Sequence, residues 1–227
     1  MSFRIATYNV HRALGADGRT DPARIVRVIE ELDTDVVALQ EVGFHPGEPG
    51  HLLELLHDAT SMRVVEGVTL RDERGHYGNA LLSRLDFLEV RRLDLSVRGR
   101  EPRGAIDVEL DAGSPVQLLA THLGLRPFER RHQVRQLLRA LETSDARVKV
   151  LLGDLNEWFL WGRPVRWLKR VFGQTAALPT FPAKRPVLAL DRLWVAPPSA
   201  LMSLSVHDTP LARIASDHLP LVGEISP

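Results

Sequence analysis

Residues 148–156 read Val-Lys-Val-Leu-Leu-Gly-Asp-Leu-Asn, and this stretch decides the fold class. The apolar run predicts a strand that is covered on both faces. Asp154 and Asn156 follow where that strand ends. Burying a carboxylate is costly unless it is paired or bound to a metal, and loops at strand ends are common places for functional groups. The stretch therefore predicts a sheet protein with its functional residues at the strand ends.

Polar residues of the same types stand at the ends of other apolar strands, after three of them and before the last two. The polar residues at their ends are Asn9, Gln40-Glu41, His122, Asp191 and Ser216-Asp217-His218. Any one of these residues could instead be a turn residue or a helix cap. That alternative weakens when six strand ends have the same residue types. If the ends converge, their carboxylates, amides and histidines can bind one hard cation and a phosphate.

Helical patterns separate some of these strands. Asp21-Pro22 predicts a helix start, with proline at the first helical position. Further helices are predicted over residues 51–59, 128–141 and 164–172. Many strands with few interleaved helices indicate two packed sheets flanked by helices. Without a repeat or a linker in the sequence, we expect one domain over residues 1–227.

The composition excludes several kinds of site. The chain has 227 residues, 44% hydrophobic and 26% charged, as in a globular protein. It has no cysteine, which excludes disulfides, thiolate zinc sites and a cysteine nucleophile. The 29 basic and 29 acidic residues balance, so no global field indicates a nucleic-acid binder. The start of the chain has no signal-peptide pattern, and we expect a cytoplasmic protein.

Six segments, in this order along the chain, are shared with a known family. They are Thr7-Tyr8-Asn9-Val10, Leu39-Gln40-Glu41-Val42, Tyr77-Gly78-Asn79-Ala80-Leu81-Leu82-Ser83, Thr121-His122-Leu123, Gly153-Asp154-Leu155-Asn156 and Ser216-Asp217-His218-Leu219-Pro220. The chain resembles the endonuclease/exonuclease/phosphatase superfamily, which includes deoxyribonuclease I, exonuclease III-type repair nucleases, neutral sphingomyelinases and inositol polyphosphate 5-phosphatases. The resemblance implies an α/β (α+β) four-layer sandwich, two mixed β-sheets between helices, with the site at one rim.

The resemblance also implies the metal ligands. Glu41 is expected to be the principal metal carboxylate, with Asn9 beside it and Asp217 near the metal. The implied cofactor is Mg²⁺, with Mn²⁺ as a substitute.

The same resemblance implies the catalytic residues. Asp154 would orient or deprotonate the attacking water, and Asn156 would contact the phosphate. His218 would contact the scissile phosphate, while Asp191 pairs with its far nitrogen. His122 corresponds to the second histidine of the deoxyribonuclease and sphingomyelinase branches.

Three further residues are candidates for substrate contact. Asn79 occupies a position where family members often have a substrate-side polar group. Arg103 and Arg130 are candidates either for phosphate contact or for structural pairing near the site. The general alternative for arginines in these stretches is solvated surface.

The segment that follows Asn156 has an unusual composition. From Trp158 to Leu190 it contains three of the four tryptophans, Trp158, Trp161 and Trp167, with six basic residues and no acidic one. One interpretation is a basic, aromatic wall, around Trp158 to Phe172, for an anionic substrate or a lipid headgroup surface. The alternative is a helix that covers the sheet, with Trp167, Leu168, Val171 and Phe172 packed inward.

These observations predict a divalent-metal-dependent phosphoesterase that hydrolyses a phosphodiester. The lack of long insertions and the zero net charge favour a small or lipid-type substrate. A nuclease acting on DNA or RNA is the alternative, which leaves nucleic acid and a membrane surface open as partners. A catalytically silent binding module would require the loss of a central residue, and none is lost. We expect a monomer without a protein partner.

Overall fold

Two β-sheets pack face to face in a computed structural model, which describes residues 2–44, 51–72 and 75–227. The first sheet has the strand order β10-β11-β1-β2-β4-β3. Its strands are β1 (Phe3–Asn9), β2 (Val36–Phe44), β3 (Arg63–Asp72), β4 (Gly75–Ser83), β10 (Leu201–Val206) and β11 (Leu221–Ile225). Strands β1 and β2 are parallel, and the other neighbours are antiparallel.

The second sheet has five strands in the order β5-β6-β7-β8-β9. They are β5 (Asp86–Asp94), β6 (Gly104–Asp111), β7 (Pro115–His122), β8 (Val148–Asp154) and β9 (Asp191–Ala196). Only β7 and β8 run parallel among these pairs. Each sheet is therefore mixed and has one parallel pair.

Helices cover the outer face of each sheet. Their bounds are α1 (Pro22–Leu32), α2 (Leu52–Thr60), α3 (Pro127–Leu141), α4 (Arg163–Phe172) and the short α5 (Ala212–Ala215). Helices α1 and α2 pack on the first sheet through side chains such as Ile25 and Leu56. Helices α3 and α4 pack on the second sheet, where Leu137 and Leu168 lie in one cluster with Trp194.

A third cluster lies between the sheets and joins residues such as Ile5 and Leu81 to Val108 and Leu152. Because burial contributes about 25 cal/mol per Å² of apolar surface, these three apolar clusters are the main stabilising contribution. The four-layer α/β/β/α sandwich confirms the predicted fold class.

Local signals in the sequence predicted most of these elements. The Asp21 carboxylate accepts a hydrogen bond from Arg24 N at 3.3 Å and caps α1, with Pro22 at its first position. Strand β10 was not predicted, because this edge strand is short and half-exposed and follows a Pro-Pro-Ser stretch. Among the described residues, no helix is long and apolar enough to cross a membrane.

Candidate active site

The two parallel strand pairs bring the predicted polar residues to one rim. In the first sheet Asn9 lies opposite Gln40, and in the second His122 lies opposite Asp154. At this rim the strand ends of both sheets border a pocket of about 600 Å³. Its lining includes Arg12, Glu41, Tyr77, Glu101, Arg103, Leu125, His122, Asp154, Asn156, Trp158, Phe181 and His218.

Left-handed backbone conformations aim two of these side chains into the pocket. Glu41 has φ 59°, where the pairing of β2 with β4 shifts register between Leu39 and Val42. Asn156 has φ 49° just after β8. Non-glycine residues in this region are uncommon and cost of order 1–3 kcal/mol, and they concentrate at functional sites.

The approach of β7 to β8 depends on a glycine. Gly153 has φ 138°, and a Cβ at this position would lie 1.8 Å from the Thr121 carbonyl oxygen. No side chain fits there without moving a strand. Gly153 therefore keeps the register that places His122 opposite Asp154.

Asn9 joins the two sheets at the centre of the site. Its amide Nδ2 donates hydrogen bonds to Glu41 Oε1 and to Asp154 Oδ2, both at 3.1 Å. Its Oδ1 accepts from His11 N at 3.1 Å. One amide thus holds two carboxylates close together, which would repel each other without a counter-charge.

His218 forms a buried pair with Asp191. His218 Nδ1 donates to Asp191 Oδ2 at 2.8 Å, and Thr180 Oγ1 donates to the same oxygen at 2.5 Å. Burial opposes the charged imidazolium, but the carboxylates of Asp191, Asp154 and Asp217 outweigh burial and raise the pKa of His218 to about 10. His218 is therefore a cation at neutral pH, and its Nε2 lies 3.8 Å from Asp154 Oδ2.

Asp154 is a buried carboxylate with a raised proton affinity. Burial and the charge of Asp191 raise its pKa to about 6, against the opposing effects of His218, Asn156 N–H and Asn9. Asn156 N donates to its Oδ1 at 2.8 Å. A carboxylate in this range is ionised at neutral pH and is a competent proton acceptor.

His122 is buried beside a cation instead of an anion. Arg103 Nη1 lies 2.9 Å from His122 Nδ1. Because a guanidinium only donates, Nδ1 must accept, and the proton of the neutral ring lies on Nε2. Burial, followed by the charges of Arg103 and His218, lowers the pKa of His122 well below its usual value. The ring is therefore neutral.

The proton on His122 Nε2 faces the anions of the site. Nε2 lies 3.6 Å from Asp154 Oδ2 and 4.0 Å from Glu41 Oε1. Asn156 Nδ2 lies 3.0 Å from the same nitrogen and donates to the Leu123 carbonyl at 2.9 Å. With the proton on Nε2, only the amide oxygen of Asn156 could accept from the ring. In this orientation Asn156 Nδ2 donates to the Leu123 carbonyl, so the amide does not accept a hydrogen bond from the ring.

Comparisons with known proteins show what the whole chain is similar to. The profile of the endonuclease/exonuclease/phosphatase family matches residues 6–218. The chain belongs to this family. It is 31% identical to YbhP of Escherichia coli (strain K12) over 99% of this chain and 96% of that protein. Proteins of the family generally hydrolyse phosphate esters.

Solved structures share the whole fold. An endonuclease/exonuclease/phosphatase from Beutenbergia cavernae is 27% identical with a TM-score of 0.79, covering 99% of this chain and 71% of that chain. A Bacteroides vulgatus endonuclease/exonuclease/phosphatase also has a TM-score of 0.79, at 17% identity, covering 100% and 99%. Humanized D. rerio TDP2 has a TM-score of 0.71 at 20% identity, covering 100% and 99%.

The family typically uses a divalent metal, and the donor set at Asn9 fits a hard cation. Glu41 and Asp154 offer carboxylate oxygens on either side of one amide. Mg²⁺ is usually held by one or two carboxylates and completes its shell with water and substrate oxygens. Asn9 positions both carboxylates, and its own Oδ1 is turned to the backbone of His11.

Ligand-type atoms of Asp154, Asp191 and His218 also lie within 4.8 Å of one another. This group fits a cation less well. Asp191 Oδ2 already accepts two hydrogen bonds, and His218 is protonated at neutral pH. The donor set on the Glu41 side of the pocket therefore suits a cation better than this group does.

Four predicted residues lie apart from the central cluster or have another partner there. Asp217 Oδ1 lies 3.5 Å from His11 Nδ1, and its side chain is partly exposed. Asn79 is buried between the sheets and donates to the Gly104 carbonyl at 3.2 Å. Arg130 makes a buried pair with Glu157, which corresponds to the structural alternative for this residue. Arg103 does line the pocket, but it orients His122 and also pairs with Glu101.

Sequence reasoning missed several residues of the site. Thr180 supports Asp191, and the Phe181 ring lies 4.8 Å from the His218 ring. Arg12 lies over the Tyr77 ring at 4.3 Å. Thr180 and Phe181 follow no predicted strand. Arg12 lies three residues after Asn9, the last residue of β1, so the strand-end pattern did not indicate it.

Proposed function

We propose that this protein hydrolyses phosphodiesters with the help of Mg²⁺ or Mn²⁺. The observation that supports the proposal best is the meeting of Asp191–His218 and Asn9–Glu41 at the buried carboxylate Asp154. A cation held by Glu41 would supply charge neutralisation at a non-bridging phosphate oxygen.

The residues of this chain account for the remaining chemistry. Asp154 accepts the proton of the attacking water, since its pKa of about 6 leaves it ionised at neutral pH. His218 donates from Nε2 to the phosphate and stabilises the negative charge that develops there. As the water oxygen bonds to phosphorus, the ester P–O bond breaks and the leaving alkoxide takes up a proton from solvent water. Neutral His122 donates from Nε2 to a second oxygen. Asp191 keeps His218 charged and oriented.

The charge of the pocket favours a diester. Glu41, Glu101 and Asp154 balance Arg12, Arg103 and protonated His218 along its lining. Asp191 behind His218 leaves one net negative charge, which a divalent cation reverses to one net positive charge. A phosphodiester, with its single negative charge, matches that value better than a doubly charged monoester does.

The test is an activity screen with purified protein and Mg²⁺ or Mn²⁺. Bis(p-nitrophenyl) phosphate is the diester probe and p-nitrophenyl phosphate the monoester probe, with plasmid DNA, single-stranded RNA and phospholipid vesicles as further substrates. We expect diester hydrolysis that EDTA abolishes. Glu41→Gln keeps the shape of the side chain, removes a hard anionic ligand and should abolish turnover with little change in melting temperature.

Glu142→Gln is the matched control, since Glu142 is an exposed residue at the end of α3. It should turn over at the wild-type rate. Wild-type turnover by Glu41→Gln at saturating Mg²⁺ would refute the ligand role. Inactivity on every diester, or a preference for the monoester, would refute the proposed function.

A further inference from the structure

The mouth of the pocket exposes a run of large apolar side chains. Trp158, Phe159, Leu160 and Trp161, here called the apolar loop, are exposed by 60%, 53%, 45% and 69%. Leu125, exposed by 64%, lines the pocket together with Trp158. Exposed apolar patches of this kind mark interaction sites in globular proteins.

A buried ion pair holds the loop in place. Arg130 Nε donates to Glu157 Oε2 at 3.1 Å, and Arg130 Nη1 donates to the Leu125 carbonyl at 2.6 Å. Glu157 Oε1 accepts from Phe159 N at 3.2 Å. The same pair thus anchors the backbone on both sides of the pocket mouth.

Because these hydrogen bonds fix the backbone of the loop, the fold itself keeps the apolar side chains exposed. The buried ion pair adds little net stability, since desolvation offsets most of its attraction, so we attribute to it the positioning of the loop. Phe159 and Trp161 also contact each other, with ring centroids 5.5 Å apart. The loop closes through a hydrogen bond from Gly162 N to Phe159 O at 2.9 Å.

Basic residues surround this apolar loop. Arg163 and Arg166 at the start of α4 are exposed, as is Arg126 beside Leu125. The segment from Trp158 to Leu190 contains no acidic residue, although the whole chain is neutral. The three exposed arginines beside the apolar loop and Leu125 thus supply positive charge that complements an anionic surface.

The rest of the tryptophan-rich segment is structural. Leu168 and Phe172 are buried against Trp194, and the half-buried Trp167 ring lies under Arg135 at 4.7 Å. Val171 is exposed, which corrects the expectation that it packs inward. The packing alternative thus holds for Leu168 and Phe172, while the apolar loop remains exposed at the pocket mouth.

From these observations we infer that the apolar loop docks the enzyme on an anionic lipid bilayer, so that the pocket receives a lipid-borne phosphodiester. This inference rests on the proposed function for its substrate class. Tryptophan and phenylalanine beside arginine are the usual residues of an interfacial anchor. Leu125 and Leu160 are aliphatic and suit acyl chains, while nucleic acid, whose bases stack on aromatic rings, is the alternative that the experiment tests.

The experiment measures binding separately from catalysis. Vesicles of phosphatidylcholine, with and without phosphatidylglycerol, are floated with the full-length protein in EDTA. We expect binding to the anionic vesicles and a blue shift of tryptophan fluorescence. Phe159→Ser/Trp161→Ser should lower the partition coefficient by ~10-fold or more, since both rings leave the interface.

Leu88→Ser/Met202→Ser is the matched control, because these residues are as exposed as the loop but lie on β5 and β10. It should bind vesicles like the wild type. Arg163→Gln/Arg166→Gln should weaken binding and make it less sensitive to salt, because fewer ionic contacts remain to be screened. Hydrolysis of bis(p-nitrophenyl) phosphate should be the same in all these variants.

Two results would overturn the inference. One is the absence of the expected binding: either the wild type binds neither kind of vesicle, or Phe159→Ser/Trp161→Ser binds anionic vesicles as well as the wild type does. The other is a loop variant that loses affinity for single-stranded nucleic acid and keeps its affinity for vesicles. Vesicle binding without hydrolysis of any diester would instead leave the docking surface standing and refute the proposed function.

Discussion

His218 and His122 are both buried, and their Nε2 atoms lie 3.8 Å and 3.6 Å from the same oxygen, Asp154 Oδ2. Their pKa values nevertheless move in opposite directions. Burial lowers both, but the Asp191 carboxylate behind His218 raises its pKa to about 10. Behind His122 stands the Arg103 guanidinium, which adds to the effect of burial.

The difference shows that the group behind each ring determines what its front nitrogen can do. An anion behind the ring makes His218 a cation, and a cation behind the ring makes His122 a neutral donor. One Asp154 oxygen therefore faces a charged and an uncharged imidazole, and the two can take different roles toward one phosphate. The predictions below break each half of this arrangement in turn.

Among substitutions at the two histidines and their partners, the largest effect is expected from His218→Ala. It removes the charged donor, and kcat should fall by ~10²-fold or more, the lower range for a general acid or base. The measurement is steady-state hydrolysis of bis(p-nitrophenyl) phosphate with Mg²⁺. His132→Ala, on the exposed face of α3, is the control and should keep its activity. A loss of less than ~10-fold for His218→Ala would remove His218 from the catalytic group.

Asp191→Asn should change the pH profile. Replacing the anion lowers the pKa of His218 from about 10, so the protonated form is lost at a lower pH. The alkaline limb of kcat against pH should move downward, while Thr180 can still donate to the remaining oxygen. An alkaline limb that stays in place would mean that another group titrates there.

Arg103→Gln should have a smaller effect on the other half. The amide can donate to His122 Nδ1 in only one of its two orientations, so the ring proton is no longer confined to Nε2. A loss of roughly three- to tenfold in kcat is expected, the range for one net hydrogen bond. The ¹⁵N chemical shifts of the ring nitrogens report the tautomer directly. Unchanged shifts together with a lower kcat would place the role of Arg103 elsewhere, for example on the substrate.

The last two expected effects are on stability instead of turnover, and they have opposite signs. The folded-state pKa of His218 lies above the ordinary 6.5, so its contribution is complete below pH 6.5 and is lost as the pH rises toward 10. The folded-state pKa of His122 lies below 6.5, so the unfolded chain binds the proton more tightly. Its contribution is therefore lost as the pH falls below 6.5.

Urea unfolding in EDTA can separate these two contributions. His218→Gln should flatten the free energy of unfolding between pH 6.5 and 10, and His122→Gln should flatten it on the acid side. Equal effects of the two substitutions on the same side would contradict the assigned charges.

The sequence predicted the site wherever chemistry coincided with a strand end. Asn9, His122 and Asp154 stand at the ends of parallel pairs, so the sheet topology brings them to the rim. Glu41 was expected at the end of its strand, but β2 continues to Phe44, and Glu41 lies where the pairing of β2 with β4 shifts register. For Arg103 and Arg130, strand ends could not distinguish phosphate contact from structural pairing. Arg103 contacts a histidine 19 positions away and Arg130 a glutamate 27 positions away, and both contacts depend on how loops cross the rim.

Asn79 shows the opposite difficulty. It stands in a strand segment shared with the family, yet its side chain joins the two sheets at the Gly104 carbonyl. Thr121 Oγ1 donates to that same carbonyl at 3.1 Å. A buried amide inside a strand has the same sequence pattern whether it faces substrate or the neighbouring sheet, so only the packing of the sheets distinguishes the two.

The left-handed backbone at Glu41 and Asn156 has a consequence for directed evolution. Glycine adopts this conformation without steric strain, so Glu41→Gly would relieve local strain and also remove a carboxylate held close to Asp154, whereas Asn156→Gly would leave the Leu123 carbonyl without its side-chain donor. Selection for heat resistance alone would then favour chains that have lost the Glu41 side chain. A library screened for thermostability should therefore be screened for turnover in parallel, because a single substitution at Glu41 would raise heat resistance and remove the proposed metal ligand.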